Sequence, residues 1–103
     1  MLMPVSTDEV LQLIYGCLSK LNSFRDPESQ LELRSDTKLF GKGGGLDSLD
    51  VVDVSICLEE CLLRRLKRRV NLVDSDDLSG NAHPFRDVSA LATYLVKKCA
   101  DAD

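Results

Sequence analysis

Ser48 is the residue in this sequence whose surroundings best fit a chemical role. It follows a run of three glycines (43–45) and opens an apolar segment that continues to Glu60, so we expect it to lie exposed at a helix N-terminus. A phosphate ester formed on its hydroxyl would meet free backbone N–H groups and the positive end of the helix dipole. The position therefore suits a serine that is modified. It also suits a serine that only caps the helix, and the local sequence taken alone favours the cap, which is the commoner role of a serine at such a position.

A nucleophilic role for Ser48 finds little support in the sequence. A catalytic serine needs a base within hydrogen-bond reach and donors for an oxyanion. The chain has one histidine, His83, which is remote in sequence and precedes Pro84. The residues around Ser48 also lack the flanking glycines of a G-x-S-x-G elbow. We therefore expect no catalytic residue and no enzyme activity.

Composition indicates one small domain spanning residues 1–103. The chain is 44% hydrophobic and 29% charged, which is ordinary for a soluble globular protein. Its net charge of −4 argues against nucleic acid as the main partner and favours a basic protein surface. No apolar run is long enough for a membrane span, and the N-terminus lacks the features of a signal peptide. We expect a cytoplasmic monomer.

The four cysteines, Cys17, Cys57, Cys61 and Cys99, fall at helical and mostly apolar positions. Cys57 and Cys61 are four residues apart and could share a helix face. No second pair of ligands, however, is spaced to complete a tetrahedral zinc site. The sequence therefore predicts four small buried hydrophobes and no metal.

Helical periodicity accounts for most of the chain. The predicted elements are helix 1 at about 6–22, a long loop at 23–47, helix 2 at about 48–69, a short helix at about 75–79 and helix 4 at about 87–100. Ser6 and Glu9 form a predicted capping box, Asp47 or Ser48 would cap helix 2, and Asp87 would cap the last helix. The expected fold is all-α: a small antiparallel four-helix bundle with three main helices, one short helix and a long first loop.

Apolar stripes predict which residues form the core. They are Val10, Ile14, Cys17, Leu18 and Leu21 in helix 1, Val51, Val54, Leu58, Cys61 and Leu62 in helix 2, and Val88, Leu91, Ala92, Leu95, Val96 and Cys99 in the last helix. The residues expected to pin the long loop to this core are Leu31, Leu33, Leu39 and Phe40. The glycines at 41 and 43–45 should make the loop mobile near Ser48. The basic run Arg64–Arg69 is expected to be a solvated helix end, with a partner site as the alternative.

The motif Asp47-Ser48-Leu49-Asp50 resembles the attachment motif of the acyl carrier protein family. The residues that extend the match are Val52, Asp53, Leu58, Glu59 and Glu60. The predicted order of helices and the long first loop also fit that family. In it, the serine carries 4′-phosphopantetheine, supplied by coenzyme A, and acyl chains are held as thioesters on its terminal thiol. The resemblance implies that Ser48 is the attachment site, flanked by Asp47 and Leu49.

The resemblance also implies a partner-binding surface beside the attached arm. The apolar positions that match it are Val52 and Ile56, and the acidic positions are Asp50, Asp53, Glu59 and Glu60. Exposed carboxylates steer association with basic surfaces without creating tight binding. Without the resemblance, these acids would be interpreted as a solvated helix face. The implied partners are a phosphopantetheinyl transferase, an acyl- or aminoacyl-loading ligase and downstream enzymes of lipid or secondary-metabolite biosynthesis.

Three features depart from the common pattern of that family. They are the glycine-rich approach to the motif (43–46), the basic extension after helix 2 (63–70), and His83-Pro84-Phe85 before the last helix. The first is more typical of stand-alone or peptidyl carriers, so we expect a stand-alone, non-housekeeping member. An aminoacyl or peptidyl carrier is one alternative. The other is a small helical adaptor in which Ser48 is only a cap.

Overall fold

A computed structural model describes residues 5–41, 43–70, 72 and 84–101 of the chain. It contains three α-helices, α1 (Thr7–Asn22), α2 (Ser48–Leu66) and α3 (Val88–Asp101), and a short 3₁₀ turn at Pro27–Ser29. Within these residues there is no strand, and β-pairing is limited to two isolated bridges. The prediction of a helical fold with three main helices is confirmed. The short helix predicted at 75–79 lies outside the described residues.

Local side-chain caps determine where α1 and α3 begin. The Ser6 hydroxyl accepts a hydrogen bond from the Glu9 N–H at 3.1 Å, and a Glu9 carboxylate oxygen accepts one from the Ser6 N–H at 3.2 Å. The Asp87 carboxylate accepts from the Ala90 N–H at 2.7 Å. Each cap satisfies backbone donors that the first helical turn leaves without a partner. Both caps were predicted, and both are confirmed.

Helix α2 ends earlier than the sequence predicted, at Leu66 instead of near residue 69. Lys67 adopts the left-handed conformation (φ 57°, ψ 33°), and its N–H donates to the Leu62 carbonyl, which terminates the helix. Arg65 lies exposed in the last turn, where a cation is favourable to the dipole. Arg68, beyond the end, is only 2% exposed. The prediction of a wholly solvated basic end is therefore wrong at Arg68.

Helix α1 packs against both α2 and α3, and the apolar stripes of the three helices form one core. The largest side chains that are wholly buried in it are Val10, Ile14, Leu18, Leu39, Val54, Leu58, Leu62, Leu72, Phe85, Val88, Leu91 and Leu95. Burial of each contributes on the order of 1.5–3 kcal/mol relative to an exposed side chain. The predicted stripes are confirmed except at Leu21, Cys61 and Val96, which are half-buried.

The long loop between α1 and α2 is attached to the start of α3. Four backbone hydrogen bonds join the two segments: Ser89 N–H to Ser35 O at 2.9 Å, Val88 N–H to Thr37 O at 3.0 Å, Leu39 N–H to Arg86 O at 3.1 Å, and Phe40 N–H to Phe85 O at 2.8 Å. Leu39 is also fully buried, so the prediction that it pins the loop is confirmed. Leu33, by contrast, is 44% exposed and does not. The loop thereby holds the residues before α2 against the bundle.

The glycines before α2 adopt turn conformations and pack closely against the rest of the loop. Gly41 and Gly43 have φ values of 98° and 82°, in the region that favours glycine. The Gly44 N–H donates to the Gly41 carbonyl at 2.9 Å, and the Leu46 N–H donates to the Leu39 carbonyl at 2.8 Å. A Cβ atom on Gly44 would overlap the backbone of Leu39. The glycines therefore serve backbone conformation and close packing immediately before α2.

Replacing Gly44 with Ala is expected to lower the free energy of unfolding by about 1–3 kcal/mol, because the added methyl group must displace backbone atoms. Gly16→Ala is the matched control. Nothing lies within 4 Å of a Cβ at Gly16 in the middle of α1, and Ala favours a helix by about 1 kcal/mol over Gly. Gly16→Ala should therefore stabilise the protein. Urea unfolding followed by circular dichroism measures both, and equal midpoints would contradict the close packing at Gly44.

Candidate functional site

Ser48 is the first residue of α2, and its side chain is exposed. The helix is capped by Asp47, whose carboxylate accepts from the Asp50 N–H at 2.8 Å. The Asp50 carboxylate in turn accepts from the Asp47 N–H at 3.2 Å, which completes a reciprocal capping box. Among the described residues, nothing forms a hydrogen bond with the Ser48 hydroxyl. The sequence allowed either Asp47 or Ser48 as the cap, and in the structure the cap is Asp47. The Ser48 hydroxyl therefore remains available for reaction.

A single guanidinium, that of Arg25, connects the segments that meet at the start of α2. It donates to the Ser29 carbonyl at 3.0 Å and to the Gly45 carbonyl at 3.0 Å, and it forms an ion pair with Asp50. The side chains of Arg25 and Asp50 are only 18% and 19% exposed. Arg25 thus joins the 3₁₀ turn, the glycine turn and the first turn of α2. The sequence did not indicate a role for Arg25, because its partners lie up to 25 positions away.

Arg25→Ala is expected to lower the free energy of unfolding by about 2 kcal/mol, because it leaves the half-buried Asp50 carboxylate and two carbonyls without their donor. Arg34→Ala is the matched control, since Arg34 also forms ion pairs but its side chain is 64% exposed. Exposed pairs of this kind contribute less than about 1 kcal/mol. Urea unfolding of both variants gives the comparison. A loss for Arg25→Ala no larger than that for Arg34→Ala would contradict the role given to Arg25.

Beyond Ser48, the outer face of α2 presents a mixed apolar and acidic surface, which we call the docking face. It consists of Leu49, Val52, Asp53, Ile56 and Glu60, which recur at helical spacing along one side. Leu49, Val52 and Ile56 are 76%, 39% and 46% exposed. Asp53 and Glu60 are exposed as well. The exposure predicted for Val52, Asp53, Ile56 and Glu60 is confirmed, and Leu49 is exposed beside them.

The other two acids predicted for partner binding are instead used inside the protein. Asp50 is held by the capping box and the ion pair described above, and is half-buried. Glu59 is half-buried, and its carboxylate accepts a hydrogen bond from the Leu72 N–H at 3.2 Å. It thereby ties the segment after α2 back to the helix. The prediction of four exposed carboxylates is wrong for these two, which leaves Asp53 and Glu60.

A groove of about 320 Å³ runs between α1 and α2, alongside the docking face. Asp53 and Ile56 form part of its wall on α2, and Lys20 lies on the α1 side. Phe24, just after α1, is 82% exposed and lines the same groove. An exposed Phe beside an exposed Ile enlarges the apolar part of this surface. Phe24 was not predicted, because a lone aromatic residue after a helix carries no periodic signal.

Three cysteines lie close together between α1 and α2, and two of them, Cys17 and Cys57, line this groove. The Sγ atom of Cys17 in α1 lies 2.6 Å from that of Cys57 and 4.0 Å from that of Cys61, both in α2. Burial, and then the neighbouring thiols, raise the pKa of Cys17 well above its usual range; burial also raises the pKa of Cys57. Cys99 is buried in α3 as predicted. The spacing of Cys57 and Cys61 predicted that these two could share a helix face, but nothing in the sequence indicated that Cys17 would lie beside them.

None of the described helices is both long and apolar enough to cross a membrane. In comparisons with known proteins, no family model, no curated protein and no solved structure matches this chain. A function must therefore be inferred from the site itself.

Proposed function

We propose that this protein is a carrier protein of the acyl carrier type, which holds 4′-phosphopantetheine on Ser48. The observation that supports this most is an exposed serine hydroxyl at the first position of α2, in a helix that its neighbour Asp47 already caps. A phosphodiester at this position would lie where backbone N–H groups and the helix dipole favour an anion. A serine used only as a cap would have its oxygen occupied by a backbone donor.

The attachment reaction needs only a hydroxyl from this chain. The Ser48 oxygen attacks the phosphorus of coenzyme A that bears the pantetheine group, and the pyrophosphate bond breaks. The nucleotide leaves with the other phosphate of the pyrophosphate in addition to its own 3′-phosphate, and the serine proton passes to a base of the transferase. The protein is thus the substrate of a phosphopantetheinyl transferase and not an enzyme. The terminal thiol of the arm would then carry the cargo as a thioester.

The docking face supports the same function. It extends along α2 for about 17 Å from Leu49 to Glu60, at 1.5 Å per residue, and begins next to Ser48. Exposed apolar side chains give a partner enzyme something to bury, while Asp53 and Glu60 steer a basic surface into position. Such contacts are strong enough to orient a partner and weak enough to release it. That combination suits a carrier that visits a loading ligase and then downstream enzymes.

The carrier proposal includes the finer expectations from the sequence: a four-helix bundle with a short helix at about 75–79, a monomer, and a cytoplasmic location. An aminoacyl or peptidyl carrier would use Ser48 in the same way and differ in the ligase that loads it. Loading assays with acyl and aminoacyl ligases separate these two cargo classes. The small helical adaptor is disfavoured, because the cap on α2 is Asp47.

The test is to incubate the purified protein with coenzyme A and a phosphopantetheinyl transferase of broad specificity, and to measure its intact mass. We expect the mass to rise by one phosphopantetheine group. A known carrier protein in the same reaction shows that the transferase is active. If that control is modified and this protein is not, the proposal is wrong.

A further inference from the structure

The groove between α1 and α2 is lined by cysteine thiols that the proposed carrier function does not use. The Sγ atoms of Cys17, Cys57 and Cys61 all lie within 4.8 Å of one another. Among the residues that the structure describes, no histidine, carboxylate or further cysteine joins this group. Three sulfur ligands from two helices converge on one point. We propose that they form a binding site for a single thiophilic transition-metal cation, for which Zn²⁺ is the natural probe.

The separations of the three sulfurs are close to those that a zinc ion requires. Zn–S bonds of about 2.3 Å place two sulfurs of a tetrahedral site about 3.8 Å apart. Cys17 and Cys61 are already 4.0 Å apart. Cys17 and Cys57, at 2.6 Å, would have to separate by about 1.2 Å, which a change in side-chain torsion can supply. Cys57 and Cys61 are four residues apart and share one side of α2.

The fourth coordination position would open toward the groove. Cys17 and Cys57 both line it, so a water molecule can reach an ion bound there. Three protein ligands with one exchangeable position distinguish this arrangement from a closed structural zinc site, which has four protein ligands. Thiolate sulfur selects Zn²⁺ or monovalent copper over Mg²⁺ and Ca²⁺. The ligand class is therefore a soft or borderline transition metal.

Binding must release protons, because the empty site contains thiols. One Zn²⁺ replaces three thiol protons, and the resulting centre has a net charge of −1. Burial raises the pKa of Cys17 and Cys57, so the metal competes with protons and its affinity should increase with pH. Lys20 lines the same groove, and its positive charge acts on Cys57 in favour of the thiolate. It would partly neutralise the metal centre.

The experiment is an anaerobic titration of the full-length, fully reduced protein with Co²⁺, followed by displacement with Zn²⁺. We expect one Co²⁺ per chain and a sulfur-to-cobalt charge-transfer band in the near ultraviolet. Cys57→Ser and Cys61→Ser should each weaken binding by more than about tenfold. These two positions are half-buried, whereas Cys17 is buried and its variant could fail to fold. Cys61→His, which restores a ligand, should recover binding.

Cys99→Ala is the matched control, since Cys99 is the one cysteine outside the cluster and Ala keeps this wholly buried position apolar. This control should bind Co²⁺ as the wild type does. Zn²⁺ should raise the melting temperature of the wild type and of the Cys99 variant, but not that of Cys57→Ser. Equal affinity of Cys57→Ser and wild type would overturn the proposal. The proposal would also be overturned if the reduced protein did not bind Co²⁺. This holds whether or not the protein purified without reductant contains a Cys17–Cys57 disulfide. None of these readouts depends on phosphopantetheine, so they test the metal site separately.

Discussion

Ser48→Ala is expected to abolish phosphopantetheine attachment completely while changing the free energy of unfolding by less than about 0.5 kcal/mol. The substitution removes the oxygen that attacks coenzyme A, so no residual modification is expected at this site. Stability should not change because the hydroxyl is exposed and has no hydrogen-bond partner among the described residues. The capping box of Asp47 and Asp50 is unaffected. Intact mass after the transferase reaction and urea unfolding together measure both effects.

Two control variants separate attachment from helix stability. Ser55→Ala removes a buried serine of the same helix whose hydroxyl has no partner in the described part of the chain. It should remain fully modifiable and be as stable as the wild type or more so, because a buried polar group without a hydrogen bond is unfavourable. Asp47→Ala removes the cap and should destabilise by about 1 kcal/mol. Modification of Ser48→Ala equal to that of Ser55→Ala would contradict the carrier proposal.

The parts of the fold that could be predicted are those determined by nearby residues. The caps at Ser6 and Asp87 act on residues three positions ahead, so their sequence spacing is also their spatial spacing. The buried stripes of the helices follow from the period of the α-helix in the same way. The exposed position of Ser48 follows from the start of α2. For these features, the spacing of residues along the chain determines which of them lie close together in the structure.

The features that could not be predicted join residues that are far apart in the chain. The Arg25 guanidinium reaches Asp50, Glu59 accepts from the Leu72 N–H, and Cys17 approaches Cys57 across 40 positions. Each pairing depends on how α1, the long loop and the end of α2 are placed relative to one another. No local period encodes that placement. The same limit applies to the close approach of Gly44 to the backbone of Leu39, which the sequence did not indicate.

These long-range contacts also change which acids are useful for testing partner binding. Asp50 and Glu59 resemble docking residues in the sequence, yet each holds two segments of the protein together. A charge reversal at either would disturb the fold as well as the surface. Asp53 and Glu60 are exposed, and neither makes a hydrogen bond or ion pair with another described residue. They are the positions at which a change in rate can be attributed to docking.

The double variant Asp53→Lys/Glu60→Lys is therefore expected to slow modification by the transferase about 10- to 100-fold at low ionic strength. Opposite charges on the two surfaces accelerate encounter, and the substitution turns that attraction into repulsion. The effect should diminish as the Debye length falls from about 30 Å at 0.01 M salt to about 3 Å at 1 M. Initial rates of phosphopantetheine transfer at subsaturating protein, measured across this range, give the result.

The matched control is Glu32→Lys/Asp36→Lys, which makes the same change in net charge at exposed positions of the long loop that are not part of the docking face. We expect this control to lower the rate less than the docking-face variant at every salt concentration. If both variants slow the reaction equally, the cause is net charge and the docking face has no specific role. If only the docking-face variant slows it, and salt restores the rate, Asp53 and Glu60 act by orienting the partner toward Ser48. Their distance along α2 from Ser48 then defines the footprint that a transferase must cover.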